Sequence, residues 1–383
     1  MAAAVLDVRA PAYAKLIAMT IGYILDDSLD RADGVQQAVL AIGEQMRKLG
    51  HDVHYIVSET SRTDIQNIHS LGSYWQLSFN GNSVRTPKPV SRRKVRKLFE
   101  SVPFDVLHVQ MPYSPFLAGR VLASAPKSVK IYGTFHILPY NMLASAGTRA
   151  LGMMQGKKVR RFNGVYAVSK PAKVFLDRAY GCDSAVLPNP VQWSFYHGRR
   201  KVLPATRNVV FVGRFEQRKG VLQLVHAYGA LPEELRDQTK LIMCGKGPLH
   251  ETARKLATQL GLSVELPGFV SEEQKAEYLA NAEIAVFPSI SGESFGIVLV
   301  EAMSAGAGVT LGGDNPGYRS VMHPWAETLF DPTDQKAFTA ILQKFLTDKP
   351  SADQIGQKQH QAAHLYDVEV ICGELEHTYL ATK

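Results

Sequence analysis

Glu293 and Glu301 lie eight residues apart, at a point where a strand-like sequence passes into a helix-like one. The apolar run Ile284–Phe287 precedes them, a turn rich in serine and glycine follows it, and an alanine- and leucine-rich stretch ends at Gly306. A strand, a glycine-bearing loop and a helix start direct free backbone N–H groups and the positive helix end at an anion. Because eight residues are a little over two helical turns, the two carboxylates can face similar sides of the segment.

The simplest interpretation of this pair is structural, with Glu293 capping the helix and Glu301 facing solvent. The neighbours of Glu301 favour a different interpretation, because Val300, Ala302 and Met303 are apolar. A carboxylate within such a helix requires a partner that compensates its charge. We therefore expect Glu301 to be paired inside the helix, and Glu293 to lie in the preceding loop.

A second strand–loop–helix segment begins with Asn208–Gly213 and continues through Arg214 and Lys219 to Gly220, where another helix is expected to start. Two cations at a helix start form a suitable cradle for a diphosphate. Surface charges in a turn are the alternative interpretation. Arg218 stands next to Lys219 in the sequence, and we expect its side chain to face solvent.

The N-terminal half places a histidine and a glycine in comparable positions. The apolar run Lys130–His136 predicts a strand that ends in the histidine. Ligands bind beyond the carboxyl ends of strands in open α/β sheets, so His136 is a functional candidate and not simply a core residue. Gly34 follows a predicted strand over Leu16–Ile24 and precedes a predicted helix over Val35–Leu49. A lone glycine of this kind is more often a turn than a ligand site.

The motifs together resemble those of a known family. Ser291–Gly296 followed by Val300–Met303 resembles, residue for residue, the E-x7-E motif of the retaining glycosyltransferases of family 4, which have the GT-B fold. Residues 213–220 match the G-R-x4-K-G signature of the same family, and Thr134–His136 resembles its conserved strand end. Lys240–Pro248 is similar to the strand and G-x-G-P turn of these enzymes.

Two stretches depart from the family pattern. Asn189-Pro190 replaces the usual Asn-Gly at the boundary between the two halves, and Gln192 stands where aspartate is common. After Gly312-Gly313 the usual glutamate is missing. The departures bear on the identity of donor and acceptor, and not on the class.

In this family the first glutamate and the N–H groups after it hold the donor sugar, and the second glutamate binds the ribose. The arginine and the lysine hold the donor phosphates, and the histidine contacts the sugar near the reacting carbon. The resemblance therefore implies catalytic roles for His136, Arg214, Lys219 and Glu293. It also implies a donor site that comprises Gly34, Gly213, Arg214, Lys219, Gly245, Phe269, Val270, Glu293, Ser294, Phe295, Gly296 and Glu301.

The reaction implied by the resemblance is transfer of a hexose, of mannose or glucose type, from a GDP- or UDP-linked donor with retention of anomeric configuration. The chain contains no D-x-D sequence, so we expect protein cations to take the place of a metal clamp, with no metal and no cofactor required. No side chain is a convincing covalent nucleophile. This suits the front-face mechanism, in which the acceptor hydroxyl attacks beside the leaving phosphate.

Basic residues are concentrated in the first half of the chain. Residues 1–200 contain 26 Lys and Arg against 13 Asp and Glu, whereas residues 201–383 contain 17 against 22. An uneven distribution of this kind suggests that one half faces a polyanion, either nucleic acid or an anionic membrane. Within the basic half, the clusters at 91–97, 157–161 and 199–201 are the densest.

The cluster at 91–97 belongs to a predicted helix with Val95, Leu98 and Phe99 at helical offsets. A solvated helix face is one interpretation. The position of the helix resembles that of the basic amphipathic helix with which phosphatidylinositol mannosyltransferases meet the membrane, and each cation could add about 1 kcal/mol of binding. The resemblance implies a membrane and acceptor surface made of Arg92, Arg93, Lys94, Arg96, Lys97, Gln110 and Tyr113.

Three alternatives stay open. A soluble small molecule or saccharide could replace the lipid as acceptor within the same class. The chain could be a GT-B epimerase or phosphorylase, although no lysine motif suggests pyridoxal phosphate. It could also be a non-catalytic module that binds nucleotides or polyanions. Nucleic acid is not an expected partner, because no known motif occurs and aromatic residues are not interleaved with the basic clusters.

A chain of 383 residues exceeds what one core usually supports, which predicts two domains. We expect an α/β protein of GT-B architecture, with two Rossmann-like domains facing a central cleft. Residues 1–192 are predicted to form the acceptor-binding domain, completed by a C-terminal helix at about 366–383 that crosses back. Residues 193–365 are predicted to form the nucleotide-sugar-binding domain. Residues 1–15 show no periodic pattern and are expected to be a loose extension.

The sequence favours a cytoplasmic protein, with peripheral attachment to the cytoplasmic face of the membrane as an option. No apolar stretch approaches the length of a transmembrane helix, and no basic region precedes a long apolar core at the start. Cys182, Cys244 and Cys372 are widely spaced and match no metal or redox pattern, as expected in a reducing compartment.

Overall fold

The computed structural model describes residues 18–30, 34–79, 82–139, 142–199 and 207–381. The expected N-terminal extension, residues 1–15, lies outside this range. Arg200 and Lys201 of the third basic cluster also lie outside it.

The N-terminal half forms a parallel sheet whose strands follow the order β3-β2-β1-β6-β7-β8-β9, with an antiparallel pair, β4 and β5, beside it. Apolar runs buried on both faces are typical of such sheets. The strands are β1 (Thr20–Ile24), β2 (Asp52–Val57), β3 (Ile68–Ser70), β4 (Tyr74–Phe79), β5 (Asn82–Pro87), β6 (Val106–Met111), β7 (Lys130–Phe135), β8 (Gly164–Ala167) and β9 (Ala185–Val186).

Helices cover both faces of this sheet and then lead into the second half. Ser91 and Ser169 cap two of them, each through a side-chain oxygen that accepts a backbone N–H. The helices are α1 (Gly34–Lys48), α2 (Arg92–Ser101), α3 (Ala118–Ser124), α4 (Met142–Val159), α5 (Lys170–Tyr180) and α6 (Trp193–Tyr196).

The C-terminal half repeats the arrangement, with a parallel sheet in the order β12-β11-β10-β13-β14-β15. Its strands are β10 (Arg207–Val212), β11 (Thr239–Cys244), β12 (Val264–Gly268), β13 (Ala282–Phe287), β14 (Val309–Gly313) and β15 (Leu329–Phe330). Its helices are α7 (Val221–Gly229), α8 (Glu233–Gln238), α9 (His250–Gln259), α10 (Glu272–Ala280), α11 (Ile297–Ala305), α12 (Pro316–Met322), α13 (Gln335–Thr347), α14 (Lys349–Ala363) and α15 (Val368–Ala381).

The final helix, α15, packs on the sheet of the N-terminal half. Val191 and Asp367 pair where the two connections pass each other, and the N–H of Val368 donates to the Val191 carbonyl at 3.0 Å. Farther along α15, the Tyr379 hydroxyl lies 2.5 Å from Nδ1 of His108. In both parallel sheets the first three strands of the chain are placed in order from the centre towards one edge. The later strands of the sheet are placed in order from the centre towards the other edge, which is the Rossmann order. The predicted fold is confirmed.

The two faces of the N-terminal sheet carry different helices. Tyr23, Val106 and Tyr132 face the cluster that includes α1 and α15, whereas Leu107 and Ile131 face the cluster that includes α2, α3, α4 and α5. The alternation follows from the two-residue period of a strand. In the described parts of the chain, no helix is both long enough and apolar enough to cross a bilayer.

Candidate functional site

The carboxyl ends of the central strands are followed by loops that meet across a cleft. A Cβ atom placed on Gly34, the first residue of α1, would lie 3.7 Å from Cγ2 of Ile297, the first residue of α11. Gln37 donates from Nε2 to Glu272 Oε1 at 3.0 Å, which joins α1 to the start of α10. A cleft of about 540 Å³ lies between these elements and includes Glu301 in its wall. Two helix starts, each favourable to anions, therefore face one another.

Glu293 is the centre of a compact charged cluster in the loop between β13 and α11, four residues before Ile297, which borders the cleft. Its Oε1 atom accepts hydrogen bonds from Lys219 Nζ at 2.6 Å, from Ser289 Oγ at 2.8 Å and from Arg218 Nη1 at 3.1 Å. The Tyr318 hydroxyl in turn donates to Ser289 Oγ at 3.2 Å. Glu293 thus lies in the loop before α11, with its carboxylate fixed against the turn that precedes α7.

The protonation state of Glu293 follows from these contacts. Burial alone would raise the pKa of its carboxyl group, but the charge and hydrogen bond of Lys219, the charge of Arg218 and the hydroxyl of Ser289 hold the pKa below its ordinary value. Burial, together with the nearby Glu293 charge, raises the pKa of Tyr318 well above its ordinary value. At neutral pH the cluster therefore combines an ionised carboxylate, two cations and two neutral hydroxyls.

The expectation for Arg218 is wrong. Its side chain is only 23% exposed and lies between Glu216 and Glu293, whereas Arg214 is 53% exposed and pairs with Glu216 at 3.1 Å. The short 3-10 turn Gln217–Lys219 directs both of its cations towards Glu293. Arg214 keeps an exposed guanidinium group beside this turn.

Glu301 has the partner that its apolar helix requires. Lys275, on α10, donates from Nζ to Glu301 Oε1 at 2.8 Å and pairs with Glu272 at 2.6 Å. Both Lys275 and Glu301 are buried. Burial alone would lower the pKa of Lys275, but the charges of Glu301 and Glu272 raise it above its ordinary value. Tyr196, in the connection between the two halves, hydrogen bonds with the same carboxylates.

The start of α11 is shaped by glycine. Gly296 has φ +115°, and a Cβ atom there would lie 2.7 Å from the Tyr318 ring, so a side chain cannot be accommodated without displacement. Phe295 is buried and its ring contacts Tyr366 at a centroid distance of 5.6 Å. Ser294 is half-buried in the same loop. The N–H groups of the first turn of α11 therefore begin directly beside Glu293.

The remaining donor-site candidates lie on the loops after β10, β11 and β12. A Cβ atom on Gly245 would lie 1.9 Å from the Gly213 carbonyl oxygen, so the two loops approach through their backbones. The N–H of Gly245 donates to the Gly268 carbonyl at 2.7 Å, which places Phe269 next to them. Phe269 is 67% exposed and Val270 is half-buried. This corner combines close backbone packing with one exposed aromatic ring.

His136 and Gln110 meet at the carboxyl ends of β7 and β6. Nε2 of His136 lies 2.6 Å from Gln110 Oε1. Burial lowers the pKa of His136 to about 4, and hydrogen bonding with Asn189 opposes this shift. The imidazole is therefore neutral at pH 7, and it serves as a hydrogen-bonding group and not as a cation.

Asp26 is a polar residue of this region that the sequence patterns did not single out. It follows β1 and accepts hydrogen bonds from the N–H groups of Ser114 and Ala118. Burial raises the pKa of its carboxyl group to about 6, although both backbone hydrogen bonds oppose this. The loop after β1 is thus fastened to the loop after β6.

The predicted acceptor residues are distributed over two places. Tyr113 is buried against Phe162, and its hydroxyl finds no hydrogen-bond partner among the described residues. Burial, together with Asp26, raises its pKa to about 12. The five cations of α2 are exposed while Val95 and Leu98 are buried, as the spacing predicts; they are Arg92, Arg93, Lys94, Arg96 and Lys97.

The segment after Gly312-Gly313, which lacks the usual glutamate, packs against the loop that carries Glu293. Asn315 caps α12 and donates from Nδ2 to the Ser289 carbonyl at 3.0 Å. A Cβ atom on Gly317 would lie 2.1 Å from the Glu293 carbonyl oxygen, so this close approach requires glycine. The start of α12 therefore positions both Ser289 and Glu293 through backbone contacts.

Sequence reasoning missed Lys275, Arg218, Ser289 and Asp26. A signal for Lys275 was present, because it precedes Leu279 by four residues and so falls on the buried stripe of α10. In the described part of the chain, no group of three or more His, Cys, Asp or Glu side chains is arranged to hold a metal ion.

Two Rossmann-like domains about a cleft, with paired cations and helix starts on one side, define the GT-B class of glycosyltransferases. Comparison with known proteins agrees. Residues 32–194 match the family described as Glycosyltransferase Family 4, and residues 199–362 match the family described as Glycosyl transferases group 1.

Similar sequences include two named phosphatidyl-myo-inositol mannosyltransferase. One, from Mycolicibacterium smegmatis, is 29% identical over 94% of this chain and 93% of its own length. The other, from Mycobacterium tuberculosis, is 31% identical over 79% of this chain and 80% of its own. The chain therefore belongs to glycosyltransferase family 4, and it is a glycosyltransferase.

Solved structures agree on the fold. The Anabaena protein HepE in complex with UDP and glucose aligns with a TM-score of 0.72 at 16% identity, covering 95% of this chain and 100% of that one. Sucrose-phosphate synthase from Thermosynechococcus elongatus aligns with a TM-score of 0.71 at 19% identity over the same shares.

Proposed function

We propose that the protein transfers a hexose from a nucleotide diphosphate sugar to a membrane lipid, such as phosphatidylinositol or another glycolipid precursor, with retention of anomeric configuration. The observation that carries the proposal is the Glu293 cluster. Its carboxylate is held by Lys219, Arg218 and Ser289 beside the start of α11, across from Gly34. A carboxylate at this point can accept sugar hydroxyls while the cations around it meet the diphosphate.

The leaving group requires positive charge that is in place before the reaction. As the bond between the anomeric carbon and the phosphate oxygen breaks, negative charge builds on the diphosphate. Lys219, the exposed guanidinium group of Arg214 and the helix starts supply preorganised stabilisation, and each such donor is worth about 3 kcal/mol of barrier. We propose that these groups make a metal ion unnecessary. Turnover that persists in excess EDTA supports this, and turnover that requires added Mg²⁺ or Mn²⁺ contradicts it.

The acceptor hydroxyl attacks the anomeric carbon on the face from which the phosphate departs. A bond forms between the acceptor oxygen and that carbon, and the acceptor proton moves to the departing phosphate oxygen. His136 is neutral at pH 7 and fixed by Gln110, so it orients the sugar by hydrogen bonding without competing for the proton. Glu301, held by Lys275, is the candidate for the ribose hydroxyls.

The lipid acceptor is supported by the names of the similar mannosyltransferases and by α2. The exposed cations of α2 would attract an anionic membrane, with each contributing about 1 kcal/mol near the surface. These residues belong to the N-terminal domain, in which Gln110 and His136 meet at the carboxyl ends of β6 and β7.

The first experiment is a thermal-shift screen against GDP, UDP, ADP and their common sugar conjugates. A ligand that binds only the folded state raises the melting temperature, so one base should stand out. Radiolabelled donor of that base is then offered with phosphatidylinositol vesicles and, separately, with soluble sugars. Labelled lipid whose new linkage keeps the donor's configuration, determined by NMR, supports the proposal. An inverted linkage overturns retention, and transfer only to soluble sugars overturns the lipid acceptor.

A further inference from the structure

Two adjacent methionines in the middle of helix α4 face outward. Met153 and Met154 are 77% and 68% exposed, more than the other large apolar side chains of the described residues. The inward face of the helix instead carries mostly small and polar residues, with one buried apolar side chain at its end: Thr148, Gly152, Gln155, Gly156 and Val159. A soluble helix normally has the opposite arrangement, with its apolar stripe towards the core.

The inward face of α4 is occupied by close backbone packing. A Cβ atom on Gly152 would lie 2.2 Å from the Ala179 carbonyl oxygen, and one on Gly156 would lie 2.8 Å from the Tyr180 carbonyl oxygen. Gln155 donates from Nε2 to the Tyr113 carbonyl at 2.6 Å. These small and polar contacts, with buried Val159 at the end of the helix, hold α4 on the domain. The exposed side chains of the two methionines lie on the opposite face.

The methionines lie in the middle of a continuous exposed stripe. Exposed positions recur every three to four residues along α4 and just beyond its end, which is one face of a helix. Cations stand on both sides of the methionine pair within this stripe. Its members are Ala146, Arg149, Ala150, Met153, Met154, Lys157, Lys158 and Arg160.

The stripe lies on the same side of the N-terminal sheet as α2. Both helices pack on the sheet face that is opposite to α1 and α15. Helix α2 contacts α3, and Arg161 at the end of α4 donates to the carbonyls of Leu122 and Ala125 at the end of α3. Helices α2, α3 and α4 therefore lie side by side.

We propose that α4 docks on an anionic lipid bilayer, with Met153 and Met154 inserted among the head groups and the flanking cations on lipid phosphates. Unbranched, flexible methionine side chains adapt to an irregular apolar environment. Cations at both ends of an exposed apolar pair match the charge of an anionic surface, and membrane binding of such helices combines apolar burial with electrostatic attraction. The inference rests on the membrane acceptor of the proposed function, and it assigns a second helix, besides α2, to the docking face.

The test is co-sedimentation of the full chain with vesicles of phosphatidylcholine, alone or mixed with phosphatidylglycerol. The double variant Met153→Gln, Met154→Gln should bind the mixed vesicles at least about tenfold more weakly than the wild type, and the residual binding should be lost in high salt. The matched control, Leu260→Gln with Leu365→Gln, removes exposed apolar side chains from the C-terminal half and should bind as the wild type does.

A charge series complements the methionine variant. Lys157→Gln with Lys158→Gln should weaken binding to the mixed vesicles and reduce its dependence on salt, whereas Lys255→Gln with Lys336→Gln, exposed on the C-terminal half, should change neither. An environment-sensitive fluorophore on Met153→Cys, in a Cys182→Ser background, should shift to the blue with mixed vesicles. A label that stays in water on bound vesicles overturns the proposal.

Two further measurements separate the remaining outcomes. Sedimentation velocity without vesicles shows whether the methionine pair instead joins two copies of the chain, and a dimer that the double glutamine variant abolishes would overturn membrane docking. Nucleotide-induced thermal shifts and transfer to a detergent-dispersed acceptor should be the same in wild type and variant. If these fail in the wild type, the proposed function fails. If they succeed while vesicle binding is insensitive to the methionines, the docking role of α4 alone fails.

Discussion

The two sides of the cleft treat polar groups in opposite ways. On the C-terminal side, charged groups are buried as pairs: Glu293 with Lys219 and Arg218, and Glu301 with Lys275. On the N-terminal side, burial drives groups towards their neutral forms. The pKa of His136 falls to about 4, and that of Asp26 rises to about 6.

This difference matches the demands of the two proposed substrates. A nucleotide diphosphate is an anion that gains further negative charge as it leaves, so charges on its side must be present and oriented beforehand. The proposed acceptor offers a neutral hydroxyl, for which neutral hydrogen-bonding groups suffice. The comparison predicts that substitutions on the C-terminal side lower stability or activity because they leave a charge without its partner. Substitutions on the N-terminal side are predicted to change how stability depends on pH, because they alter which groups take up protons.

The largest effect is expected from Lys275→Met. The variant leaves Glu301 buried without its cation, and breaking a buried ion pair in this way costs about 3–5 kcal/mol of unfolding free energy at neutral pH. Urea denaturation measures this loss. The matched control is Lys240→Met in the same domain, whose ion pair with Glu265 is partly exposed and whose loss should cost less than about 1 kcal/mol.

The same variant has a defined pH dependence. An unpaired buried carboxyl group has a raised pKa in the folded state, so the folded variant takes up a proton more readily than its unfolded chain. The loss of unfolding free energy in Lys275→Met, relative to the wild type, should therefore be smaller at pH 5 than at pH 8. An equal deficit at both pH values, or an equal loss in the Lys240 control, would contradict the pairing on which the comparison rests.

Glu293→Gln is expected to lower kcat/KM by about 10²-fold or more while the fold is kept. Glutamine has nearly the same shape, but it cannot compensate the two cations or accept sugar hydroxyls as strongly. Glu283→Gln is the control, because Glu283 is a comparably buried carboxylate, paired with Arg207 at the opposite end of β13. The measurement is kcat/KM of both variants below their melting temperatures. Similar values for Glu293→Gln and Glu283→Gln would contradict a role for Glu293 in the reaction.

The local parts of the site follow from sequence, while its long-range pairings do not. The strand, the glycine loop and the helix around Glu293 are encoded by residues within one segment, and the helix predicted over Val35–Leu49 differs from α1 (Gly34–Lys48) by one residue at each end. Lys275 and Glu301 are 26 residues apart, and Arg218 and Glu293 are 75 apart. Pairings over such distances depend on how α10, α11 and the turn before α7 pack.

The inward position of Arg218, which was expected to face solvent, shows the physical reason. Gly220 has φ +68°, and a Cβ atom there would lie 2.1 Å from the Pro288 carbonyl oxygen. The N–H of Ile290 donates to the Arg218 carbonyl at 2.8 Å. The turn therefore packs tightly against the Glu293 loop, and the side chain of Arg218 points inward. The sequence spacing of Arg214, Arg218 and Lys219 does not predict this orientation. Likewise, residues 58–90 lack a long apolar run, which is why β3, β4 and β5 were not predicted.

A smaller effect separates these two arginines. Arg218→Ala removes a charge that helps to hold the pKa of Glu293 low, so the pKa should rise and kcat/KM should fall about tenfold, which is about 1.4 kcal/mol, with an added loss towards acidic pH. Arg214→Ala removes an exposed cation and should lower kcat/KM at every pH alike. Rate profiles from pH 5 to 8 distinguish them, and identical profile shapes for both variants would show that Arg218 does not act through Glu293.

The smallest effect concerns the N-terminal side and His108, which lies fully buried between the Tyr379 hydroxyl and Thr134 Oγ1. Burial, and secondarily the charge of His136, lowers its pKa to about 3. Because the unfolded chain binds this proton near pH 6.5 and the folded chain does not, stability conferred by His108 is complete above pH 6.5 and declines as the pH falls. Between pH 6.5 and 5.5 the decline is about 1 kcal/mol.

His108→Gln cannot titrate, so the difference in unfolding free energy between wild type and variant should shrink by this amount over that interval. Asp26 acts in the opposite direction but is common to both proteins, and it cancels in the difference. A difference that stays constant would mean that His108 is protonated alike in both states, and that proton uptake on this side is not governed by burial.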